Sequence, residues 1–210
     1  MHSRTKVLLA AGAGAAVGAG LVVLVAARRR PLPCPAWAAG FLDNPFSRFT
    51  PPPLERLELA PGMRVLDVGS GPGRLSIPAA AAVGPEGEVV ALDIQPAMLR
   101  KLERRAASRC VLNIRPVLGD IASIPPGDGV FDRAVLVTVL GEIPDRAAAL
   151  RHIFTALKPG GMLSVTEILP DPHYQNRTTV LRLAQDAGFR LRREYGNRFA
   201  FTLNFERPAS

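Results

Sequence analysis

Asp67 and three glycines at alternate positions form the pattern D-x-G-x-G-x-G within "VLDVGSGPGRL", residues 65–75. The apolar residues before the glycines predict a buried strand. The glycines predict a turn whose backbone adopts positive φ and approaches a ligand closely. In open α/β sheets, ligands bind at such turns, beside the N–H groups that begin the next helix. The pattern therefore predicts a small-molecule site at the end of a strand.

Two common phosphate-binding patterns do not fit this turn. The dinucleotide fingerprint G-x-G-x-x-G needs a third glycine where this chain has Arg74. The Lys-Ser/Thr pair of a phosphate-binding loop is also missing from the turn. A ligand without a pyrophosphate group fits the spacing better.

Further segments strengthen one interpretation of the turn. "VVALDI" ends in Asp93-Ile94, "LGDIASIP" contains Asp120, and "FDRAVLVTVLGEIP" and "LKPGGMLSVTE" follow in that order. Together with the glycine turn, these segments resemble class I S-adenosylmethionine-dependent methyltransferases over about residues 54–207. The resemblance implies that S-adenosylmethionine is the cofactor and that the reaction is a methyl transfer.

The resemblance also implies a role for each matching residue. Asp67 matches an acidic residue near the cofactor's ammonium group, and Asp93 matches the carboxylate that accepts hydrogen bonds from both ribose hydroxyls. Asp120 and the backbone N–H of Ile121 stand where the family contacts adenine. The predicted cofactor contacts are Asp67, Gly69, Ser70, Gly71, Gly73, Asp93, Ile94, Asp120 and Ile121. No metal ion is expected.

Catalytic side chains are expected to be few, because a sulfonium methyl donor arrives already activated. The protein mainly aligns nucleophile, methyl group and sulfur and excludes water, and a base is needed only for protonated nucleophiles. Glu142, Glu167 and His173 are the candidates at the carboxyl ends of the fourth and fifth strands, with Asp171 and Tyr174 beside them. Each of these residues has a structural role as its alternative.

The absence of several sequence motifs narrows the range of possible methyl acceptors. No Asn-Pro-Pro-Tyr run, typical of amino-group methylation, follows the fourth strand, and no basic surface interleaved with aromatics indicates nucleic acid. The two cysteines, Cys34 and Cys110, do not match the several cysteines of arsenite methylation. The motif spacing resembles small bacterial enzymes that include the quinone-methylating group. A quinone, a phospholipid headgroup or another hydrophobic small molecule is therefore expected; the alternatives are a side chain of a membrane-associated protein and a non-catalytic scaffold.

An apolar stretch near the N-terminus predicts a membrane anchor. Residues 7–27 carry no polar side chain, and Arg28, Arg29 and Arg30 follow them. A helix of this length is about 31 Å long, close to the hydrocarbon thickness of a bilayer of about 30 Å. Three arginines directly after the stretch argue against a cleaved signal peptide, and they should stay on the cytoplasmic side. We expect a single-pass protein with its catalytic domain in the cytoplasm; the alternative is a helix that lies in the membrane plane or inserts only partly, because the stretch is rich in alanine and glycine.

The chain divides into three parts. Residues 1–30 form the predicted anchor with basic flanks, 31–53 a linker rich in proline and aromatic residues, and 54–210 the methyltransferase domain. Of the net charge of +8, residues 1–30 contribute five Lys/Arg and no acid, which leaves 21 basic against 18 acidic side chains. The basicity is thus mostly terminal.

Strand and helix patterns alternate after residue 54, which predicts an α/β fold. We expect a doubly wound, seven-stranded, mostly parallel sheet with an antiparallel C-terminal hairpin. Gly196-Asn197 is the predicted hairpin turn, followed by a half-buried strand that alternates Phe199, Phe201, Leu203 and Phe205 with smaller or polar residues. The other predicted strands are Arg64–Val68, Glu88–Leu92, Ile114–Leu118, Arg133–Val139 and Met162–Ile168.

Overall fold

The computed structural model describes residues 54–209. The predicted anchor and linker, residues 1–53, lie outside the described residues. Within the described part, the helices fall short of the length and apolarity that crossing a bilayer requires. After a short 3-10 turn at Leu54–Arg56, the elements are β1 Arg64–Val68, α1 Ser76–Val83, β2 Glu88–Asp93, α2 Pro96–Ala107, β3 Ile114–Leu118, β4 Phe131–Val137, a 3-10 turn Leu140–Glu142, α3 Arg146–Ala156, β5 Leu157–Ile168, α4 Arg177–Asp186, β6 Arg190–Gly196 and β7 Ala200–Glu206.

Residues 54–209 form one seven-stranded sheet of order β3-β2-β1-β4-β5-β7-β6. The first five strands run parallel, and β7 is antiparallel to both β5 and β6. This confirms the predicted mostly parallel α/β sheet with a C-terminal hairpin. The strand order reverses between β1 and β4, and such a switch point is where doubly wound sheets bind ligands at their carboxyl edge.

Apolar side chains cover both faces of the sheet. On one face the core joins α3 and α4 to β4, β5 and β7, with Ile153, Val180 and Phe205 fully buried. On the other, α1 packs Ala79 and Val83 against β1 and β2. Strands buried on both faces read as continuous apolar runs, which explains why the sequence located β1 and β2 so closely; β3, an edge strand, is only partly buried.

Capping residues set the helix starts near the carboxyl edge. Asp145 accepts a hydrogen bond from the N–H of Ala148 at 2.8 Å, and Asn176 accepts one from Thr179 at 2.9 Å. These are side-chain N-caps of α3 and α4. α2 begins at Pro96, which suits a first helical position because proline has no N–H to leave unpaired.

Three strands differ from the sequence prediction in their bounds, and the smallest difference is at β2, which ends at Asp93 and not at Leu92. β4 runs from Phe131 to Val137, two residues earlier than predicted, because Thr138 adopts a φ of 54° and ends the strand. β5 begins at Leu157, five residues early, since its pairing with β4 continues across a register shift. Gly160 and Gly161 at that shift exchange backbone hydrogen bonds with Arg207.

The hairpin prediction was right in topology and wrong in detail. The turn is the three-residue loop 197–199, in which the Asn197 side chain accepts the N–H groups of Phe199 and Ala200. β7 is buried on both faces, not half-buried: Phe201, Leu203 and Phe205 lie in the core, and on the other face Thr202 and Asn204 are covered by Arg56, to which both hydrogen-bond. Phe199 falls in the loop and is exposed.

The burial of β7 generates a stability prediction. Phe205 is fully buried, whereas Phe199 is 53% exposed. Phe205→Ala should lower the free energy of unfolding by about 3–5 kcal/mol, since it removes a core ring and leaves a cavity. Phe199→Ala should change it by less than about 1 kcal/mol. Urea unfolding of both variants checks this, and similar losses in the two would contradict the observed position of the strand.

Candidate active site

The three glycines after β1 are required for different structural reasons. All have positive φ, 68° at Gly69, 53° at Gly71 and 82° at Gly73. A Cβ at Gly69 would lie 2.5 Å from the side chain of Val139, and one at Gly73 would lie 2.9 Å from Leu102. At Gly71 a Cβ would meet nothing within 4 Å. Gly69 and Gly73 therefore permit packing, while Gly71 presents bare backbone to open space.

Asp93, the last residue of β2, holds the glycine turn in place. Its Oδ2 accepts the N–H of Gly71 at 2.8 Å, and its Oδ1 accepts the N–H of Gln95 at 2.8 Å. Burial raises the pKa of Asp93, and the backbone donors oppose that rise. Each carboxylate oxygen keeps a further lone pair, so Asp93 can still accept hydrogen bonds from a ligand.

Asp67, at the end of β1, is a second buried carboxyl in the same corner. Ser76, the buried first residue of α1, donates its hydroxyl to Asp67 Oδ2 at 2.5 Å. Burial raises the pKa of Asp67 to about 7; the charge of Asp93 adds to the rise, and the hydrogen bond from Ser76 opposes it. Asp67 therefore changes charge near neutral pH. The sequence analysis missed Ser76, although a serine at the start of the helix after the glycine turn was a visible signal.

An unpartnered hydroxyl completes this corner. Ser70 Oγ is buried and has no hydrogen-bond partner within the part of the chain that the structure describes. Buried polar groups are nearly always hydrogen-bonded, so an orphan hydroxyl beside bare backbone is suited to a polar ligand. Open space at Gly71, the Ser70 hydroxyl and two buried carboxyls fit a ligand with an ammonium group and adjacent hydroxyls.

The residues predicted at adenine are more engaged with the protein. Asp120 Oδ1 accepts the N–H of Ala122 at 2.9 Å, and Oδ2 accepts the hydroxyl of Ser123 at 3.2 Å. The side chain of Ile121 is buried, and its carbonyl lies 2.8 Å from His152 Nδ1. Ile94 is exposed next to Asp93. Asp120 thus organises the turn after β3, and its predicted contact with an exocyclic amine stays a prediction.

Glu167, near the end of β5, is a buried carboxyl that favours its neutral form. It is 1% exposed; its Oε2 accepts the N–H of Gln175 at 3.0 Å, and its Oε1 has no partner within residues 54–209. Burial raises its pKa to about 8, the charges of Asp171 and Glu142 add to the rise, and Arg146 opposes it. Glu142, Glu167 and Asp171 therefore gather at the carboxyl edge, although no His, Cys, Asp or Glu group in this range is placed to hold a metal ion.

His173 lies in the same region because the segment after β5 packs on the turn after β4. A Cβ at Gly141 would collide with the carbonyl of His173, so only glycine permits this approach. The N–H of His173 donates to Asp171 Oδ1 at 2.7 Å, and Gln175 Nε2 donates to the His173 carbonyl at 2.8 Å. The sequence analysis did not identify the role of Gly141.

Tyr174 has a structural role. Its hydroxyl donates to the carbonyl of Arg198 at 2.6 Å, and its ring packs edge-on against Phe201 at 6.0 Å between centroids. These contacts fasten the segment after β5 to the hairpin. Tyr174 thereby positions its neighbour His173.

Thr138 was not predicted as a site residue. Its φ of 54° is unusual for a β-branched residue, and such strain often occurs at functional sites. It directs Val139 against Gly69, so the loop after β4 touches the glycine turn after β1. Nothing in the apolar run around Thr138 distinguished it in the sequence.

Comparison with known proteins agrees with this geometry. The family model described as a methyltransferase domain matches residues 59–188. A ubiquinone/menaquinone biosynthesis C-methyltransferase of Ectopseudomonas mendocina is 37% identical over 130 residues, 61% of this chain and 50% of that protein. A demethylmenaquinone methyltransferase of Geobacillus kaustophilus is 35% identical over 52% of this chain and 47% of its own length. An arsenite methyltransferase of Halobacterium salinarum is 31% identical over 53% of this chain and 28% of its own length. The chain spans about half the length of the quinone-methylating relatives or less.

Solved structures share the fold. A SAM-dependent methyltransferase from Aquifex aeolicus superposes with a TM-score of 0.75 at 23% identity and covers 82% of this chain and 98% of its own. A phosphoethanolamine N-methyltransferase of Haemonchus contortus in complex with S-adenosyl-L-methionine gives 0.59 at 22% identity, over 68% of this chain and 36% of its own. At these identities the likeness concerns the fold.

The raised pKa of Glu167 generates a prediction of pH-dependent stability. Between the ordinary pKa of glutamate, about 4.3, and about 8, the unfolded chain carries the charged carboxylate while the folded protein keeps the carboxyl protonated. The wild-type protein should therefore lose stability relative to Glu167→Gln as pH rises from 5 to about 8, and no further above it. Asp67 titrates in both proteins and cancels from the difference.

Urea midpoints measured across this pH range check the effect. Glu86→Gln, a change at an exposed glutamate, is the matched control and should follow the wild type. A difference between wild type and Glu167→Gln that does not vary with pH would contradict a neutral Glu167.

Proposed function

Since the chain belongs to the methyltransferase-domain family, the class I S-adenosylmethionine-dependent methyltransferases, we propose that it methylates a small, lipid-soluble acceptor while residues 7–27 tether it to a membrane. The catalytic domain is proposed to face the cytoplasm. The arginines at positions 28–30 support that orientation, because basic residues flanking a span stay on the cytoplasmic side.

The observation that carries the proposal is the corner between β1 and β2. There the open backbone of Gly71 lies beside the Ser70 hydroxyl and between the buried carboxyls of Asp67 and Asp93. Asp93 would hold the ribose hydroxyls with its remaining lone pairs. Asp67 would face the ammonium group, whose positive charge favours the deprotonated carboxylate and lowers its pKa from about 7.

Bound S-adenosylmethionine supplies a methyl group already activated on a sulfonium sulfur. The chain's own task is then to orient the acceptor and keep water out. At neutral pH the Glu167 carboxyl is mostly protonated. Its unpartnered Oε1 can therefore donate or accept a hydrogen bond. This suits the carbonyl or hydroxyl oxygen of an acceptor better than proton abstraction. Burial is the main reason why Glu167 keeps its neutral form, and the charges of Asp171 and Glu142 add to it.

The acceptor class is supported by the relatives and by the cysteines. A ubiquinone/menaquinone biosynthesis C-methyltransferase and a demethylmenaquinone methyltransferase match the chain at 37% and 35% identity. An arsenite methyltransferase matches at 31%. Cys110, however, lies between α2 and β3, at the sheet edge opposite the glycine turn, where it cannot reach a methyl group held there. A lipid-soluble oxygen-bearing molecule agrees with these features and with the apolar stretch 7–27.

Binding of S-adenosylmethionine to the full chain in detergent tests the proposed cofactor corner. The wild type should bind, and Asp93→Ala should weaken binding by about tenfold, because a buried charge-assisted partner of the ribose is lost. Asp128→Ala removes an exposed carboxylate and should leave affinity unchanged. Isothermal calorimetry measures all three. No binding by the wild type, or equal affinity in Asp93→Ala, would show that the pocket lies elsewhere.

Incubation with labelled S-adenosylmethionine tests the acceptor. The enzyme is mixed with separated lipid, water-soluble small-molecule and protein extracts, and label is expected in the lipid extract. Glu167→Gln keeps a neutral hydrogen-bonding group and should retain more activity than Glu167→Ala. Label confined to protein would favour a side-chain methyltransferase. Cofactor binding without label in any extract would favour a scaffold.

A further inference from the structure

Helix α2 carries more positive charge than the rest of the domain together. Residues 96–109 hold five Lys/Arg and one acid, Glu103, a balance of +4. Residues 54–210 as a whole hold 20 Lys/Arg and 17 Asp/Glu, a balance of +3. Everything in the domain outside this helix is therefore close to neutral. The charge is concentrated on one element.

Two cations of α2, Arg100 and Arg104, lie on its outer face, whereas Lys101 and Arg105 are half-buried. Met98, Leu99, Leu102 and Ala106 are buried against the domain. At 100° per residue, Arg100 and Arg104 stand opposite that buried stripe, and both are exposed. Like charges one turn apart on a helix repel each other by a few tenths of a kcal/mol. The sequence tolerates this repulsion on a helix that needs no cations for its packing.

These outer cations are not neutralised by the domain. Among the described residues, neither a hydrogen bond nor an ion pair joins Arg100, Arg104 or Arg109 to an acid. At the opposite sheet edge, by contrast, Arg192 and Arg193 face Glu58 at 3.2 and 3.8 Å, and further along Arg177 pairs with Glu194. Arg100, Arg104 and Arg109 thus differ from these paired arginines, because no acid among the described residues neutralises their charge.

Exposed aliphatic side chains lie at both ends of β3, the edge strand against which α2 packs. Of the six large hydrophobic residues exposed within the described part of the chain, four lie between residues 94 and 124: Ile94, Leu112, Leu118 and Ile124. Leu112, five residues after α2, is 90% exposed, and Leu118, at the end of edge strand β3, is 58% exposed. α2 packs against β3. Ile94 is a predicted cofactor contact, whereas Leu112 and Leu118 have no assigned role in the site.

We propose that this α2–β3 corner, defined by Arg100, Arg104, Arg109, Leu112 and Leu118, docks the domain onto an anionic lipid surface. Unpaired cations beside protruding aliphatic side chains are the chemistry of membrane interfaces: the cations attract anionic headgroups, and the aliphatic chains enter the headgroup boundary. A nucleic acid fits less well, because residues 94–124 contain no aromatic side chain on which bases would stack. The apolar stretch 7–27 would already bring the domain close to a bilayer.

The corner contains its own reporter position. Cys110 is exposed and lies two residues before Leu112. In full-length chain carrying Cys34→Ser, an environment-sensitive fluorophore on Cys110 reports whether the corner enters a membrane. Because residues 7–27 are predicted to hold the chain on vesicles of any charge, the readout is the fluorophore's environment, not the amount of bound protein.

The test compares phosphatidylcholine vesicles with and without phosphatidylglycerol. The emission should shift to the blue only in the vesicles with phosphatidylglycerol, and high salt should reverse the shift. Arg100→Ala with Arg104→Ala should abolish most of the shift, and Leu112→Ser should reduce it. The matched control, Arg151→Ala with Arg182→Ala, removes the same charge from exposed positions on α3 and α4 and should leave the shift intact.

Several results would overturn the docking proposal. These are no shift with anionic vesicles, an equal shift with neutral ones, an equal loss in the control variant, and a shift caused by single-stranded DNA but not by vesicles. Calorimetry with S-adenosylmethionine on the same labelled proteins separates this outcome from a failure of the proposed function, because none of the substituted residues lies in the predicted cofactor corner.

Discussion

The site depends on the two hydrogen bonds that the Asp93 carboxylate accepts. The carboxylate accepts one backbone N–H from the glycine turn, at Gly71, and one from the start of α2, at Gln95. Both donors belong to the main chain, so their positions follow from the parallel pairing of β1 with β2. A single buried anion thus fixes two loops at the switch point of the sheet. The corner is organised by the fold before any ligand is considered, and such preorganisation lowers the cost of binding.

Close packing between loops links that corner to the ends of β4 and β5, where Glu167 is buried. Val139 fills the space that a side chain at Gly69 would need, and the His173 backbone lies against Gly141. The ends of β1, β4 and β5 are therefore in contact through glycines that no other residue can replace. Each end of this assembly contains one buried carboxyl, Asp67 or Glu167, whose pKa burial raises to about 7 or 8. Within residues 54–209 no salt bridge joins a cation to either carboxyl, so their charge states respond to what binds.

The sequence predicted the parts of the fold that local patterns encode. The bounds of β1 and β3 and the glycine turn followed from apolar runs and spacing. The end of β4 did not, since the positive φ of Thr138 is imposed by packing and no local signal marks it. Glu167 was named from its position, but its neutral form arises from burial and two neighbouring acids, which are tertiary facts. For the same reason the alternation in β7 was misread, as its polar face is covered by Arg56, which is distant in sequence and hydrogen-bonds with Thr202 and Asn204.

Helix α2 connects the cofactor corner to the proposed lipid contact. α2 begins directly after Gln95, whose N–H donates to Asp93. Arg105, on the flank of α2, donates to the carbonyl of Pro72 in the glycine turn at 3.1 Å. Arg100 and Arg104 lie on the outer face of α2, where their charges are exposed. A helix of 12 residues is about 18 Å long and stiff on that scale. With its outer face on a bilayer, α2 and the strands it covers would lie along the membrane plane. The carboxyl edge would then open sideways at the level of the headgroups, where a lipid-soluble acceptor is most accessible.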